Sequence, residues 1–366
     1  MRLLRRTWVF GLILAAAFIA WADEGMWMPH QMRVLDLQKL GLQMNPDDLY
    51  KKDGTGLMSA VVNLAGGTGE FVSPEGLILT NHHVAFGAIQ RAATKEKDYI
   101  EKGFLALARS EEIPAQGYTA DVLLGYDEVT EKIVRNIKPG LTSLEIYYAI
   151  EKAQKELIAA AEKEGPDIRC TVASIYSGNQ YYLFRYKRLK DIRLVYAPPQ
   201  DLGNFGGDID NWMWPRHTCD FSFLRAYVSK DGLGVDHSPE NVPYKPKSML
   251  KISLEGVKPG DFTFVMGYPG RTYRNYTKSE VQSDRDILER RIGLFQDIIA
   301  FFEKAGQGNR DVEIKYAGLV KGLNNALKNF QGKIEGMDKI SLVSKKGASE
   351  DDFLTWVCQE PGRQES

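Results

Sequence analysis

The feature that most constrains this chain is a change of hydrophobic period partway along it. Between residues 59 and 266, apolar side chains come in short runs separated by turns rich in glycine and proline. Residues 60–64, 69–72 and 76–80 are three such runs, divided by Gly66-Gly67 and by Ser73-Pro74-Glu75-Gly76. Runs at 170–176, 181–186, 192–196, 221–228 and 262–266 repeat the pattern, which predicts strands joined by tight turns. One interruption is helical. Thr142 and Glu145 form a capping box, and the amphipathic stretch after them runs for about five turns to the breaker Gly165-Pro166. A shorter helix is expected after Asn45-Pro46, where Asn caps and Pro takes the first position. Past Pro269-Gly270 the period lengthens: residues 278–304, 311–330 and a stretch near the C-terminus read as helices. Ile287, Leu288, Ile292, Phe295, Ile298 and Ile299 mark one helix face at three- and four-residue spacing. The expected class is mainly β with α, a β part followed by a helical one.

Composition narrows what such a fold does. With 17 Tyr, 16 Phe and 6 Trp the chain is not a disordered one, and three cysteines are too few for a disulfide scaffold. The 47 basic and 48 acidic side chains give a net charge of −1, so neither nucleic acid nor an anionic membrane is an expected partner. Arg2, Arg5 and Arg6 precede an apolar run from Val9 to Ala20, and Ala20-Trp21-Ala22 offers small residues where a signal peptidase reads. The run is too short to span roughly 30 Å of hydrocarbon, so residues 1–22 read as a secretory signal and not as a membrane span. Its removal takes the three arginines and moves the charge from −1 to −4. The expectation is an exported protein, periplasmic or secreted, in which Cys170, Cys219 and Cys358 form at most one bridge. No cysteine has the close Cys or His spacing of a zinc site, and no cofactor or metal is called for.

Two regions concentrate chemistry. Leu79-Thr80-Asn81-His82-His83 places adjacent histidines at an expected strand end, where neighbours point to opposite sides; the pair therefore does not form a two-His metal site. Residues 203–220 hold three Asp, two Trp, an Arg and a His among flexible glycines, and lead directly into the run at 221–228. On an extended chain Trp212 and Trp214 would share a face. A polar, aromatic loop held by rigid strands is a good ligand-site candidate. One mechanism joins the two regions. A serine hydrolase of chymotrypsin type takes His from an early strand end and Asp from a later strand, and His83 followed by Asp220 is that order. The Asp orients the imidazole, which accepts the hydroxyl proton as general base.

The segment 72–83, which ends Thr80-Asn81-His82-His83, together with Phe86-Gly87-Ala88-Ile89-Gln90, resembles the catalytic-His signature of the bacterial exopeptidase family of dipeptidyl-peptidases 7 and 11. Gly178-Asn179-Gln180-Tyr181-Tyr182-Leu183, residues 204–220 and the stretch from Met266 to Thr272 resemble it too, so the resemblance covers nearly the whole chain. It implies a serine peptidase that removes dipeptides from a free N-terminus. The implied fold is a chymotrypsin-like double β-barrel over residues 23–276, its second barrel incomplete, followed at 277–366 by the start of an inserted helical domain. His83 is implied to be the general base and Asp220 its partner. Asn211 and Trp212 match residues that hold the substrate's N-terminal ammonium: an amide oxygen accepts from an ammonium, and an indole face attracts a cation. Implied partners are peptides with a free N-terminus, and a homodimer is allowed for the full-length enzyme.

Three departures accompany the match. Val84-Ala85 stands where the family often has Cys-Gly, and Cys219 where it often has Gly; all are small. The third is larger, since the family's Gly-Asn-Ser-Gly nucleophile turn is absent from the 366 residues. The chain is thus expected to be the N-terminal half of a protein about twice its length, with base and acid present, the nucleophile missing and no hydrolysis by this chain alone. The competing expectation is a non-catalytic periplasmic peptide-binding protein that keeps the ammonium pocket. Neither hydrophobic nor acidic side-chain preference can be chosen from these residues.

Overall fold

The computed structural model describes residues 26–363 apart from Lys52, Asn136, Trp214, Arg216, Arg271 and Thr272. The expected signal at 1–22 lies outside the described residues, as do Trp214, Arg216 and the end of the 266–272 motif. The chain divides into two compact units, Met1–Pro46 and Asp47–Ser366. In the first, a 3-10 helix at Pro29–Val34 precedes the buried Leu37 and Leu42. The helix expected after Asn45-Pro46 is only a three-residue 3-10 turn, Pro46–Asp48.

In the second unit eleven strands form one antiparallel sheet. They are β1 (Val61–Leu64), β2 (Gly67–Phe71), β3 (Leu77–Thr80), β4 (Phe104–Leu105), β5 (Ile113–Pro114) and β6 (Ala120–Glu128), then β7 (Ile168–Ile175), β8 (Gln180–Leu189), β9 (Asp191–Ala197), β10 (Ser222–Val228) and β11 (Val242–Pro243). The hydrogen-bonded path runs β4-β9-β10-β3-β2-β1-β6-β8-β7, with β11 on β10 and β5 on β9. The chain thus combines a large antiparallel sheet with helices, and nine of the eleven strands lie on one continuous path. Turn chemistry sets the path. Gly76 has φ +69°, and a Cβ there would lie 2.8 Å from the carbonyls of Ala226 and Tyr244, so the Ser73–Gly76 turn needs glycine at its last position.

Among the described residues the unit also holds five helices of more than ten residues: α1 (His82–Ala92), α2 (Ser143–Ala161), α3 (Lys278–Gly306), α4 (Arg310–Lys339) and α5 (Leu342–Cys358). Helix α2 starts at the expected capping box, with Thr142 Oγ1 accepting from Glu145 N and Glu145 Oε2 accepting from Thr142 N. Two apolar cores form. One joins Leu64, Phe71, Ile78 and Leu224 of the sheet to Phe86 and Ile89 of α1 and to Ile314 of α4. Each such fully buried side chain contributes about 1.5–3 kcal/mol. The other seats Ala153 and Ala161 of α2 on Cys170, Tyr181 and Leu183 of β7 and β8.

Three elements differ from expectation. Residues 262–266 form no strand: they have no ladder partner among the described residues, and Val265 is fully exposed, so the apolar run lacks the pairing a strand requires. On the predicted face of α3, Leu288 and Ile299 are buried while Ile287 is exposed. Strand β6, not foreseen, is the link between β1 and β8; a bulge between Leu123 and Gly125 breaks its alternation. Cys170, Cys219 and Cys358 are free thiols, with no bridge among them.

Candidate active site

His82 and His83 do not continue a strand. β3 ends at Thr80, and the two histidines form the first turn of α1, with Asn81 as N-cap. Helical geometry separates their side chains by about 100° instead of the 180° of a strand. His82 is fully buried, edge-on to Phe86 with ring centroids 5.9 Å apart, and neither of its ring nitrogens has a hydrogen-bond partner among the described residues. A Cβ on Gly203 would lie 2.5 Å from the His82 ring, so the 203–220 loop contributes a glycine to make room for it. Burial, reinforced by the Lys321 charge, pushes the His82 imidazole down to about 4, and it packs as a neutral ring. His83, one residue on, is exposed.

The register of the sheet brings Asp220 to it. β10 pairs antiparallel with β3, Ser222 opposite Thr80, so the two residues before Ser222 run past the start of α1. The loop closes on itself just upstream: Cys219 N donates to Leu202 O at 3.0 Å and Thr218 Oγ1 to Gly203 O at 3.2 Å. Asp220 Oδ2 then lies 2.7 Å from His83 Nδ1, and Oδ1 accepts from the His83 backbone N at 3.0 Å. Asn81 Nδ2 donates to the same carboxylate at 3.2 Å. Because Asn81 makes no side-chain cap bond of its own, the carboxylate satisfies one of the orphan N–H groups at the helix start and faces the positive end of its dipole. Burial alone would raise the Asp220 carboxyl; the hydrogen bonds from the His83 ring and backbone outweigh it and hold the group below the ordinary carboxylate value. With Nδ1 committed to the carboxylate, Nε2 is the ring nitrogen left to accept a proton.

His83 and Asp220 line a cleft of about 740 Å³ together with Asn211 and Trp212. All four residues singled out from the sequence therefore share one cavity. Helical turns at Gln200–Gly203 and Gly207–Asp210 precede Asn211 in place of an extended run, and the face expected to be shared by Trp212 and Trp214 involves a residue outside the described ones. Trp212 has φ +60°, a backbone conformation uncommon for a bulky residue, and stays 57% exposed. What holds it is Asn325 of α4: Trp212 Nε1 donates to Asn325 O and Oδ1, both at 3.1 Å, and Asn211 Nδ2 donates to Asn325 Oδ1 at 3.0 Å. Asn325 was missed in the sequence because it lies 113 residues from Trp212 in the chain. A signal existed: Gly318, Gly322, Asn324 and Asn325 are poor helix formers clustered in a 30-residue helix, a local cost that function can explain. Lys321, one turn before Asn325, places Nζ 4.1 Å from the Phe86 ring centroid in the cleft wall. Among the described residues no group of three or more His, Cys, Asp or Glu could hold a metal ion.

Gly267 and Tyr268 of the 266–272 motif lie against the sheet. Tyr268 N donates to Thr68 Oγ1 of β2 at 2.9 Å, and Gly267 faces the same Thr68 side chain.

Known proteins resemble the chain over most of its length. The chain is 40% identical over 349 residues to the Asp/Glu-specific dipeptidyl-peptidase of Shewanella putrefaciens, covering 94% of this chain and 47% of that one. It is 38% identical over 363 residues to dipeptidyl-peptidase 7 of Phocaeicola vulgatus, covering 94% and 50%. The crystal structure of Porphyromonas endodontalis DPP11 with the dipeptide Arg-Asp superposes with a TM-score of 0.86 at 34% identity, over 94% of this chain and 51% of that one. The chain spans about half the length of the curated relatives it matches. With the peptidase S46 family profile matched over residues 22–366, the chain belongs to the peptidase S46 family.

Proposed function

We propose that this chain carries the base, its orienting acid and the N-terminal ammonium clamp of a serine-type dipeptidyl-peptidase. The observation that carries the reading is the 2.7 Å contact between His83 Nδ1 and Asp220 Oδ2 at the mouth of a cleft that also holds Asn211 and Trp212. In the reaction, Asp220 fixes the Nδ1–H tautomer and stabilises the imidazolium, while Nε2 takes the proton of a serine hydroxyl and returns it to the leaving amine. Asn325 holds the Asn211 amide by its donor end, and an amide's other end is an acceptor, the polarity an ammonium needs. The Trp212 indole adds a face that attracts the cation. A substrate held by its ammonium presents a fixed peptide bond to the base, and an acetylated terminus loses the charge that the clamp recognises.

The 366 residues contain no Gly-Asn-Ser-Gly turn, so in this reading the chain binds dipeptides without cleaving peptides, and the nucleophile comes from sequence such as that of the relatives' other half. We assign residues 23–276 to the catalytic part, 277–366 to the helical insert and 1–22 to export toward the periplasm or beyond. Calorimetric titration with Arg-Asp and with its N-acetyl form tests the clamp. The unblocked dipeptide is expected to bind, the acetylated one to bind at least about tenfold more weakly, and Asn211→Ala to remove most of that difference. Equal affinity for the two forms would sink the reading. A serine-directed phosphonate is expected to leave the chain unlabelled.

A further inference from the structure

The cleft is walled on two sides by helices. α1 contributes His83, Phe86, Gly87 and Gln90, residues on one face at three- and four-residue spacing; α4 contributes Gly318, Lys321, Gly322 and Asn325 in the same way. The base sits near the start of the first helix, and the residue that holds Trp212 and Asn211 sits on the second. The distance between them depends on how α1 and α4 pack on the sheet and on each other.

They touch at Gln90. Its carboxamide Nε2 donates to two carbonyls of α4, Ile314 O at 2.8 Å and Lys315 O at 3.1 Å, so both amide hydrogens meet acceptors. One turn along, Gly318 lies against the Gln90 Oε1, and a Cβ at that position would press on that oxygen while standing 3.3 Å from the carboxamide carbon. A free glutamine side chain would swing away from such a methyl. This one is pinned by its two bonds, so the glycine is what permits the approach. Gln90 lies seven residues from His83, roughly 10 Å along α1, and Lys315 lies ten residues from Asn325, roughly 15 Å along α4. Buried Ile314 beside the contact anchors it in the core of the sheet.

We propose that Gln90, seated against Gly318, is a positioning residue that sets the spacing between the His83 base and the clamp held by Asn325, and with it the length of peptide admitted between them; the second half of this statement rests on the function proposed above. A glutamine that served packing alone would need no donors, and Gly318→Ala would then favour the helix, since Ala is the better helix former. A positioning glutamine makes the opposite demand: Gln90→Glu keeps the shape but turns a carboxylate on two carbonyls, and Gly318→Ala displaces the carboxamide.

The experiment uses spin labels at Lys95→Cys, just beyond α1, and Gln331→Cys on α4, both exposed positions, with the exposed Cys219 and Cys358 changed to serine. The unaltered Gln90–Gly318 pair is expected to give one narrow distance, and both Gln90→Glu and Gly318→Ala a displaced or broadened one while the protein stays folded by circular dichroism. Calorimetry with Arg-Asp on the same variants is expected to show the preference over the acetylated form reduced about tenfold. Unchanged distances in both folded variants overturn the proposal. Moved distances in a chain that never preferred the unblocked dipeptide leave the spacing role standing and remove both the peptide-length role and the ammonium reading. If Gln90→Glu does not fold, Gly318→Ala decides alone.

Discussion

Two adjacent histidines do opposite work here because one helical step separates burial from solvent. His83 meets a carboxylate at the cleft, whereas His82 is enclosed with no partner for either nitrogen among the described residues. The enclosure has a consequence for stability. In the folded protein the His82 imidazole titrates near 4, and in the unfolded chain near its ordinary value of 6.5. Between those values the unfolded state binds the extra proton, so stability is full above about pH 6.5 and falls as the pH drops toward 4. The maximum loss is on the order of 3 kcal/mol. Asp220 acts in the same direction at lower pH, since its depressed carboxyl contributes stability that is lost only as pH falls through its folded value. Urea unfolding at pH 7, 5.5 and 4.5 is expected to show this slope, and His82→Leu, similar in size and without a proton, to flatten most of it. An equal slope in the variant would mean that His82 is hydrated in solution. At this scale the sequence was informative where a motif marks residues that meet, as His83 and Asp220 do, and silent where the partner is remote and unmarked, as at Asn325.

The elements show why some structure could be read and some could not. Runs with turn residues at both ends, such as 60–64 and 192–196, correspond to β1 and β9, and the capping box at Thr142 marks the start of α2. β6 escaped because its bulge shifts the two-residue period in mid-strand. α1 escaped because its start looks like the continuation of β3; what turns the chain into a helix there is a carboxylate 137 residues away, which no local pattern records. Residues 262–266 have strand composition but no described partner, and composition alone does not form a ladder. The capping role of Asp220 is testable. Asp220→Asn removes the charge at the α1 start and turns an amide donor toward groups that already donate, which is expected to cost about 1–2 kcal/mol in chemical denaturation. A variant as stable as the parent would confine Asp220 to the imidazole.

At the scale of the molecule, the helical residues beyond 277 are built into the β part. Ile314 belongs to the sheet's core, and Arg310 grips Asp98 with Nε at 2.7 Å and a terminal nitrogen at 2.6 Å. Asp98 is itself buried and caps the short helix Tyr99–Lys102 through Glu101 N. Arg310→Ala would leave that carboxylate short of its counter-charge, at an expected cost of about 2–3 kcal/mol. Because α4 also carries Asn325, the variant is expected to weaken Arg-Asp binding as well as lower the unfolding midpoint. A loss of stability with unchanged binding would separate the two roles of the helix. The division expected at 276 follows the change of sequence period, but the period does not show how closely α4 joins the core. The most direct measurement is a crystal structure of this chain soaked with Arg-Asp. The account predicts the dipeptide's ammonium within about 3.2 Å of the Asn211 amide and over the Trp212 ring, with its chain extending toward His83. A dipeptide bound with its ammonium elsewhere, or a cleft left empty at saturating concentration, would contradict it.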